Sequence, residues 1–179
     1  PNGESSLEYK KYWPADVHLI GKDILRFHTI YWPIMLHALN VDLPKQIFGH
    51  PWMLFGNDKM SKSKGNIVYA DDLVKKYGVD AVRFYMIHEM PFASDGVYTE
   101  DLLIDTINSN LANVLGNLVN RTIGMANKYF SGVIEDSNVV EEVDNDLKNS
   151  ILLLNKDIEE DIKKFRIADS LEKIIEAYR

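Results

Sequence analysis

Between residues 58 and 66 the chain reads Asp-Lys-Met-Ser-Lys-Ser-Lys-Gly-Asn, and this stretch limits the fold more than any other. Met60 is its single bulky apolar side chain. The stretch therefore cannot offer a core face to a helix or sheet and is expected in a solvated loop between whatever packs on either side. Such a loop suits an anion. Lysine ammonium groups alternate with serine hydroxyls, and Gly65 frees the backbone to turn its N–H groups towards phosphate oxygens, while Asn66 can form a turn or cap the next element. A Lys/Ser run alone also fits a plain solvated turn, because charge by itself is weak evidence.

The order of residues narrows the choice. Gly56 to Ser63 departs from the phosphate-cradling pattern G-x-x-x-x-G-K-[ST] at Ser61, where the backbone needs a glycine. Gly65-Asn66 also interrupts the helix that should follow directly. By contrast, Lys59-Met60-Ser61-Lys62-Ser63, followed by Gly65-Asn66, resembles the signature loop of class I aminoacyl-tRNA synthetases. That resemblance implies that Lys59 and Lys62 are catalytic, and that Lys59, Met60, Ser61, Lys62 and Ser63 hold ATP and the adenylate.

Upstream, residues 1–15 are polar and turn-rich and are expected to be an irregular lead-in. Val17-His18-Leu19-Ile20 predicts a buried strand that ends at Gly21. From Asp23, a plausible N-cap, the apolar spacing of Ile24, Phe27, Tyr31, Met35 and Leu39 predicts a helix, with a kink or broken turn at Pro33. A strand, a glycine and a helix start make the kind of edge where α/β sheets bind ligands. His28 lies one turn after Ile24, and spacing alone favours a packed, hydrogen-bonded core histidine. The whole run from His18 to His28, continuing through Tyr31-Trp32-Pro33, resembles methionyl-tRNA synthetases. Other class I relatives share only the Gly-x-Asp turn. The resemblance implies that Ile24 and His28 line a methionine pocket and that Gly21 and Asp23 lie at the adenylate. An aliphatic wall with one polarisable ring suits a thioether.

Residues 46–55 predict a strand and a hairpin-like continuation, with Pro51 where that family usually has glycine. His50 could touch phosphate or be structural. Asp71-Asp72 look like a cap, Gly78 a stop and Asp80 the start of a second helix, followed by a connector from Glu89 to Gly96. From Thr99, a capping residue, a long helix carries the apolar stripe Leu103, Ile107, Leu111, Val114, Leu118, Met125 and Tyr129. Asn110, Asn113, Asn117 and Arg121 form a polar row unlike the usual Glu/Lys face, suited either to inter-helix hydrogen bonds or to RNA bases. The resemblance implies that Asn117 and Arg121 contact the anticodon. Beyond Gly132, Val143 to Phe165 predict a second amphipathic helix, and Ile167, Leu171, Ile174 and Tyr178 begin a third. The family's anticodon-stacking aromatic falls at Ile162, with Phe165 nearby, so that contact is not carried over.

The fold class expected is α/β followed by all-α: the second half of a Rossmann-like nucleotide-binding fold over 1–57, a signature-loop and connecting helical region over 58–98, and an incomplete helical anticodon-binding bundle over 99–179. A net charge of −7 speaks against a non-specific nucleic-acid binder, so any RNA must meet local basic groups. No run approaches the ~18 apolar residues of a membrane span, and the start lacks the features of a signal peptide. Zero cysteines exclude cysteine metal sites and fit a reducing cytoplasm. The resemblance implies ATP with Mg2+, L-methionine and tRNA(Met) as partners, no DNA, no membrane and no zinc site in this stretch. The chain contains no His-x-Gly-His signature and reads as a piece of a longer enzyme, inactive alone. A non-catalytic RNA-binding module derived from a synthetase is the competing expectation.

Overall fold

A computed structural model describes residues 6–56, 58–61, 63, 65–91, 94–136 and 139–179. The chain divides into two compact units, Pro1–Trp52 and Met53–Arg179.

The first unit opens with a helix where an irregular lead-in is expected. Ser6 accepts a hydrogen bond from the backbone N–H of Tyr9 at 3.0 Å and so caps α1 (Leu7–Tyr12). Glu8 in the first turn and Lys10 and Lys11 in the last complement the helix dipole. Six residues bury nothing, so no apolar period betrays this helix; the cap and the charges are its only signals. Strand β1 (His18–Gly21) then pairs in parallel with β2 (Ile47–His50), register His18↔Ile47 to Gly21↔His50. A parallel pair needs a crossover. Here it is a 3-10 turn at Lys22–Ile24, a π turn at Phe27–Tyr31, and α2 (Trp32–Ala38).

Asp23 is not the N-cap. The capping position is Gly21, which makes no side-chain cap bond, and Asp23 sits inside the 3-10 turn because the chain tightens immediately after the strand. Nor does Pro33 simply break the helix. The Trp32 N–H reaches back five residues to the carbonyl of Phe27, and Pro33 falls in the first turn of α2, where its missing donor is tolerated. The disturbance predicted there takes the form of a change of helix type just upstream.

In the second unit β3 (Met53–Phe55) forms a hairpin with β4 (Asp58–Lys59) and pairs in parallel with β5 (Gly96–Tyr98), giving the order β4-β3-β5. Gly56 takes φ +57 at the hairpin turn, a conformation that favours glycine. The cationic stretch thus begins as a short strand, not as loop throughout, because Asp58 and Lys59 find backbone partners on β3. The crossover to β5 is α3 (Ala70–Tyr77) and α4 (Val79–His88), separated by Gly78 at φ +85. Asp71 and Asp72 lie in the first turn of α3 while Tyr69 holds the cap position, so they act through the dipole and not by capping. The core is Leu73, Val82, Tyr85, Tyr98 and Leu103, with Met53, Met60 and Ile107 packed against it. Tyr85 donates to the carbonyl of Val97 at 2.8 Å, and burial pushes its hydroxyl up to about 12.

Thr99 accepts from the Leu102 N–H at 3.1 Å, capping α5 (Glu100–Thr106) as its sequence predicts. The helix continues through a π segment, Ile107–Gly116, into α6 (Asn117–Phe130). That wider winding shifts the angular position of every later residue. The stripe therefore ends early: Leu103 is 0% exposed, whereas Met125 is 53% and Tyr129 64% exposed. It also removes Asn110 from the polar row, for this residue is buried, with its amide nitrogen 3.5 Å from His88 Nε2. Helix α7 (Glu142–Lys163) starts at a capping box in which the Glu141 N–H donates to Asp144 at 2.9 Å. Helix α8 (Ile167–Ala177) is tied to it by Lys173 on the buried carboxylate of Asp161 at 2.5 Å, and it buries Ile175 and Ser170 where Ile174 was the expected core residue.

Candidate functional site

In the first unit, strand and crossover helix line an open pocket of about 650 Å³ formed by Val17, His18, Leu19, Ile20, Phe27, His28, Tyr31, Trp32 and Met35. His28 Nδ1 lies 3.0 Å from the carbonyl of Ile24. A carbonyl only accepts, so Nδ1 carries a proton. The ring also meets His18 edge-on, with centroids 6.4 Å apart. Ile24 is not among the described residues lining the cavity; it contributes the carbonyl that orients His28. Two of the lining residues also carry a buried polar atom without a hydrogen-bond partner, His18 Nδ1 and Trp32 Nε1.

At the strand's end Gly21 and Asp23 form a tight corner. A Cβ on Gly21 would stand 2.5 Å from Asp23 Oδ1, so the carboxylate occupies space that only glycine leaves. Next to this corner, the Lys22 ammonium lies over the Trp52 ring, 4.4 Å from its centroid, a cation–π contact.

The cationic loop belongs to the second unit and is held from three sides. Lys59 pairs with Leu54 as the last residue of β4, and Met60 packs on the core. Asn66 then reaches backwards: its Oδ1 accepts the Ser61 N–H at 2.8 Å and its Nδ2 donates to the Lys59 carbonyl at 3.4 Å. The hydroxyls of Ser61 and Ser63 lie 2.8 Å apart, and Gly65 turns at φ +66. Lys62 lies outside the described residues.

A third feature, also in the second unit, is a groove of about 380 Å³ between α6 and the end of α8. Asn113, Asn117, Arg121 and Thr122 line one wall, and Tyr178 and Arg179 contribute from the other. Asn117 and Arg121 are thus brought together. Sequence spacing alone missed Tyr178, Arg179, the aromatic wall of the first cavity and the Asn66 staple. The Tyr31-Trp32 pair beside His28 was the one legible hint of that wall.

A two-stranded parallel crossover with an aromatic pocket, and a separately stapled Lys/Ser loop, fit a class I synthetase type of fold. A model of the family described as tRNA synthetases class I (M) matches residues 2–123, and the chain belongs to that family. The methionine–tRNA ligase of Clostridium acetobutylicum is 54% identical over 166 residues, covering 93% of this chain and 26% of the relative. That of Clostridium perfringens is 55% identical over 173 residues, covering 96% and 27%. The Mycobacterium tuberculosis methionyl-tRNA synthetase bound by methionyl-adenylate superposes with a TM-score of 0.89 at 37% identity, covering 99% of this chain and 35% of that one. This chain therefore spans about a quarter of the length of the curated relatives it matches.

Proposed function

We propose that this chain is part of a methionine–tRNA ligase. In the first step a carboxylate oxygen of methionine attacks the α-phosphorus of ATP, and the bond to the β-phosphate breaks to release pyrophosphate. In the second, a ribose hydroxyl of tRNA(Met) takes the methionyl group and AMP leaves. A carboxylate is already a nucleophile, so activation depends on positioning and on stabilising charge at the leaving phosphates. Lys59 and Lys62 suit that role, with Met60, Ser61 and Ser63 shaping the loop around ATP. Mg2+ enters on the phosphates as part of the substrate complex. Gly21 and Asp23 hold the adenylate, Ile24 and His28 serve the methionine, and Asn117 and Arg121 take the anticodon. On this reading 1–57 is the C-terminal half of a Rossmann-like domain, 58–98 the loop and connecting region, and 99–179 the start of an anticodon-binding domain.

The observation that carries the reading is the aromatic pocket with its oriented His28, in a chain of this family. In the full-length polypeptide, Lys62→Ala is expected to lower methionine-dependent ATP–pyrophosphate exchange about 10²- to 10³-fold with a smaller effect on methionine binding. Unchanged exchange overturns the role. The groove on α6 would also serve a non-catalytic RNA-binding module, which predicts no exchange in the full-length polypeptide at all. The 179-residue stretch by itself is proposed to make no adenylate, and the same assay on it decides that point.

A further inference from the structure

Trp13 is not among the described residues that line the aromatic pocket, yet it packs on two that do. Its ring centroid lies 6.0 Å from that of His18 on β1, and it meets Trp32 of α2 edge-on at 6.3 Å. His18 in turn meets His28 edge-on at 6.4 Å. The rings thus form a continuous path from outside the pocket to the histidine assigned to methionine.

The two ends of that path are tied to the backbone, and the middle is not. Trp13 Nε1 donates to the carbonyl of Asp42 at 3.0 Å, and His28 Nδ1 lies 3.0 Å from that of Ile24. Between them, His18 Nδ1 and Trp32 Nε1 are buried without a hydrogen-bond partner. No hydrogen bond at these nitrogens fixes either ring, so its tilt comes from the rings packed against it, which prefer offset or edge-to-face contact. Trp13 itself is well held. Its own N–H donates to the Tyr9 carbonyl at 2.8 Å, and the residues after it are laced to those before β2: the Lys45 N–H donates to the Ala15 carbonyl at 2.9 Å, Lys45 Nζ to Asp16 Oδ1 at 2.6 Å, and the His18 N–H to the Gln46 carbonyl at 2.9 Å. Both rings that Trp13 touches belong to the pocket wall, so a shift of Trp13 is felt there. Resting on the reading of this pocket as the methionine site, we propose that Trp13 is a positioning residue that sets side-chain selectivity: anchored on Asp42, it fixes Trp32 and His18, and through His18 the ring of His28.

The test is amino-acid-dependent ATP–pyrophosphate exchange by the full-length polypeptide, with methionine and with ethionine, its homologue one methylene longer. Trp13→Leu removes ring and donor together. It is expected to raise the methionine KM about ten-fold and to cut the kcat/KM preference for methionine over ethionine about ten-fold, while kcat with methionine and the ATP KM stay within about two-fold, because discrimination of one methylene depends on walls that hold their place. Trp13→Phe keeps a ring without the donor and is expected to fall between, at about three-fold. Combining Trp13→Leu with His18→Leu is expected to raise the methionine KM by less than the product of the single effects, because the two share one contact. A methionine KM and preference within about two-fold of wild type in folded Trp13→Leu overturn the proposal. So does a parallel rise in the methionine and ATP KM, which marks a merely structural role. If circular dichroism shows Trp13→Leu unfolded, Trp13→Phe decides by the same criteria. A wild-type polypeptide inactive in methionine-dependent exchange overturns the ligase reading and this inference with it. An active wild type whose Trp13 variants keep its methionine KM and preference overturns this inference alone.

Discussion

Asn66 closes its own loop onto Ser61, its side-chain oxygen taking the Ser61 backbone N–H at 2.8 Å while its amide nitrogen donates to the Lys59 carbonyl. One side chain thus satisfies a donor and an acceptor at the root of the cationic turn. Asn66→Ala leaves both backbone groups to water and frees the turn. In the full-length polypeptide it is expected to lower kcat for methionine-dependent pyrophosphate exchange about ten-fold, as mispositioning does, with the methionine KM unchanged. Asn66→Asp keeps the acceptor and loses the donor, and should fall between. Exchange kinetics at saturating ATP check this, and wild-type kcat in Asn66→Ala refutes it.

The corner at Gly21 makes a second claim. A methyl group there would sit 2.5 Å from Asp23 Oδ1, closer than any ordinary contact, so the carboxylate must swing away. Gly21→Ala and Asp23→Ala should therefore damage the same function. Each is expected to reduce exchange at least ten-fold, and the double variant to match the worse single variant within about two-fold, because the sites share one interaction. Steady-state exchange on the three variants checks it. Additive losses would show that glycine and acid act separately.

Where the sequence was legible, a residue's local chemistry settled its structure. Thr99 caps because a hydroxyl before Glu100-Asp101 has one obvious use, and Gly78 ends α3 because positive φ suits glycine. The strands at His18 and Ile47 follow from apolar runs bounded by turns, but the first is not the buried strand expected, for none of its residues is buried and Leu19 is 62% exposed. Legibility failed wherever backbone winding changed without a sequence mark. Spacing at 3.6 residues per turn places Asn110 with Asn117 and Arg121, but the π segment from Ile107 to Gly116 turns Asn110 inward to His88. Strand β5 was missed because Gly96-Val97-Tyr98 is too short to show alternation and is defined by its partner β3. At the candidate site the motif residues Gly21, His28, Trp32, Lys59, Asn66 and Asn117 were named, while the backward hydrogen bonds of Asn66 and the placing of Arg179 beside Asn117 depend on how the chain folds back and carry no local signature.

The Lys76–Glu100 pair, 2.5 Å apart and joined by Tyr77, predicts a pH dependence of stability. Hydrogen bonding to Glu100 raises the Lys76 ammonium to about 12, and the same bond from Lys76 holds the Glu100 carboxyl below its usual range. For Lys76 the folded value lies above the unfolded one, so its stabilisation is complete below about pH 10.4 and disappears as pH climbs towards 12. For Glu100 the folded value is depressed, so its stabilisation holds above about pH 4.3 and is lost as pH falls further. Glu100→Gln should flatten both arms. Urea midpoints across these two windows, compared with wild type, check the sign in each. An unaltered alkaline arm would assign it instead to Tyr85, whose buried hydroxyl is also pushed up to about 12.

Leu103 is 0% exposed and joins Leu73, Val82, Tyr85 and Tyr98 in the core beneath the β4-β3-β5 sheet. Thr99 fixes where α5 begins, so Leu103, four residues on, is committed to facing that core one turn into the helix. Leu103→Ala removes apolar contacts and leaves a cavity between Tyr85 and the first turn of α5. The expected cost is about 2–5 kcal/mol, the range for buried leucine truncations that relax incompletely. Leu103→Met conserves volume and should cost less than about 1.5 kcal/mol. Met60 packs on the same core, so the alanine variant is also expected to lower pyrophosphate exchange in the full-length polypeptide, and the methionine variant to restore it. Chemical unfolding with exchange rates measured in parallel tests both halves. If Leu103→Ala unfolds at the wild-type denaturant midpoint, the core does not bear on this side chain as described, and its link to the cationic loop fails too.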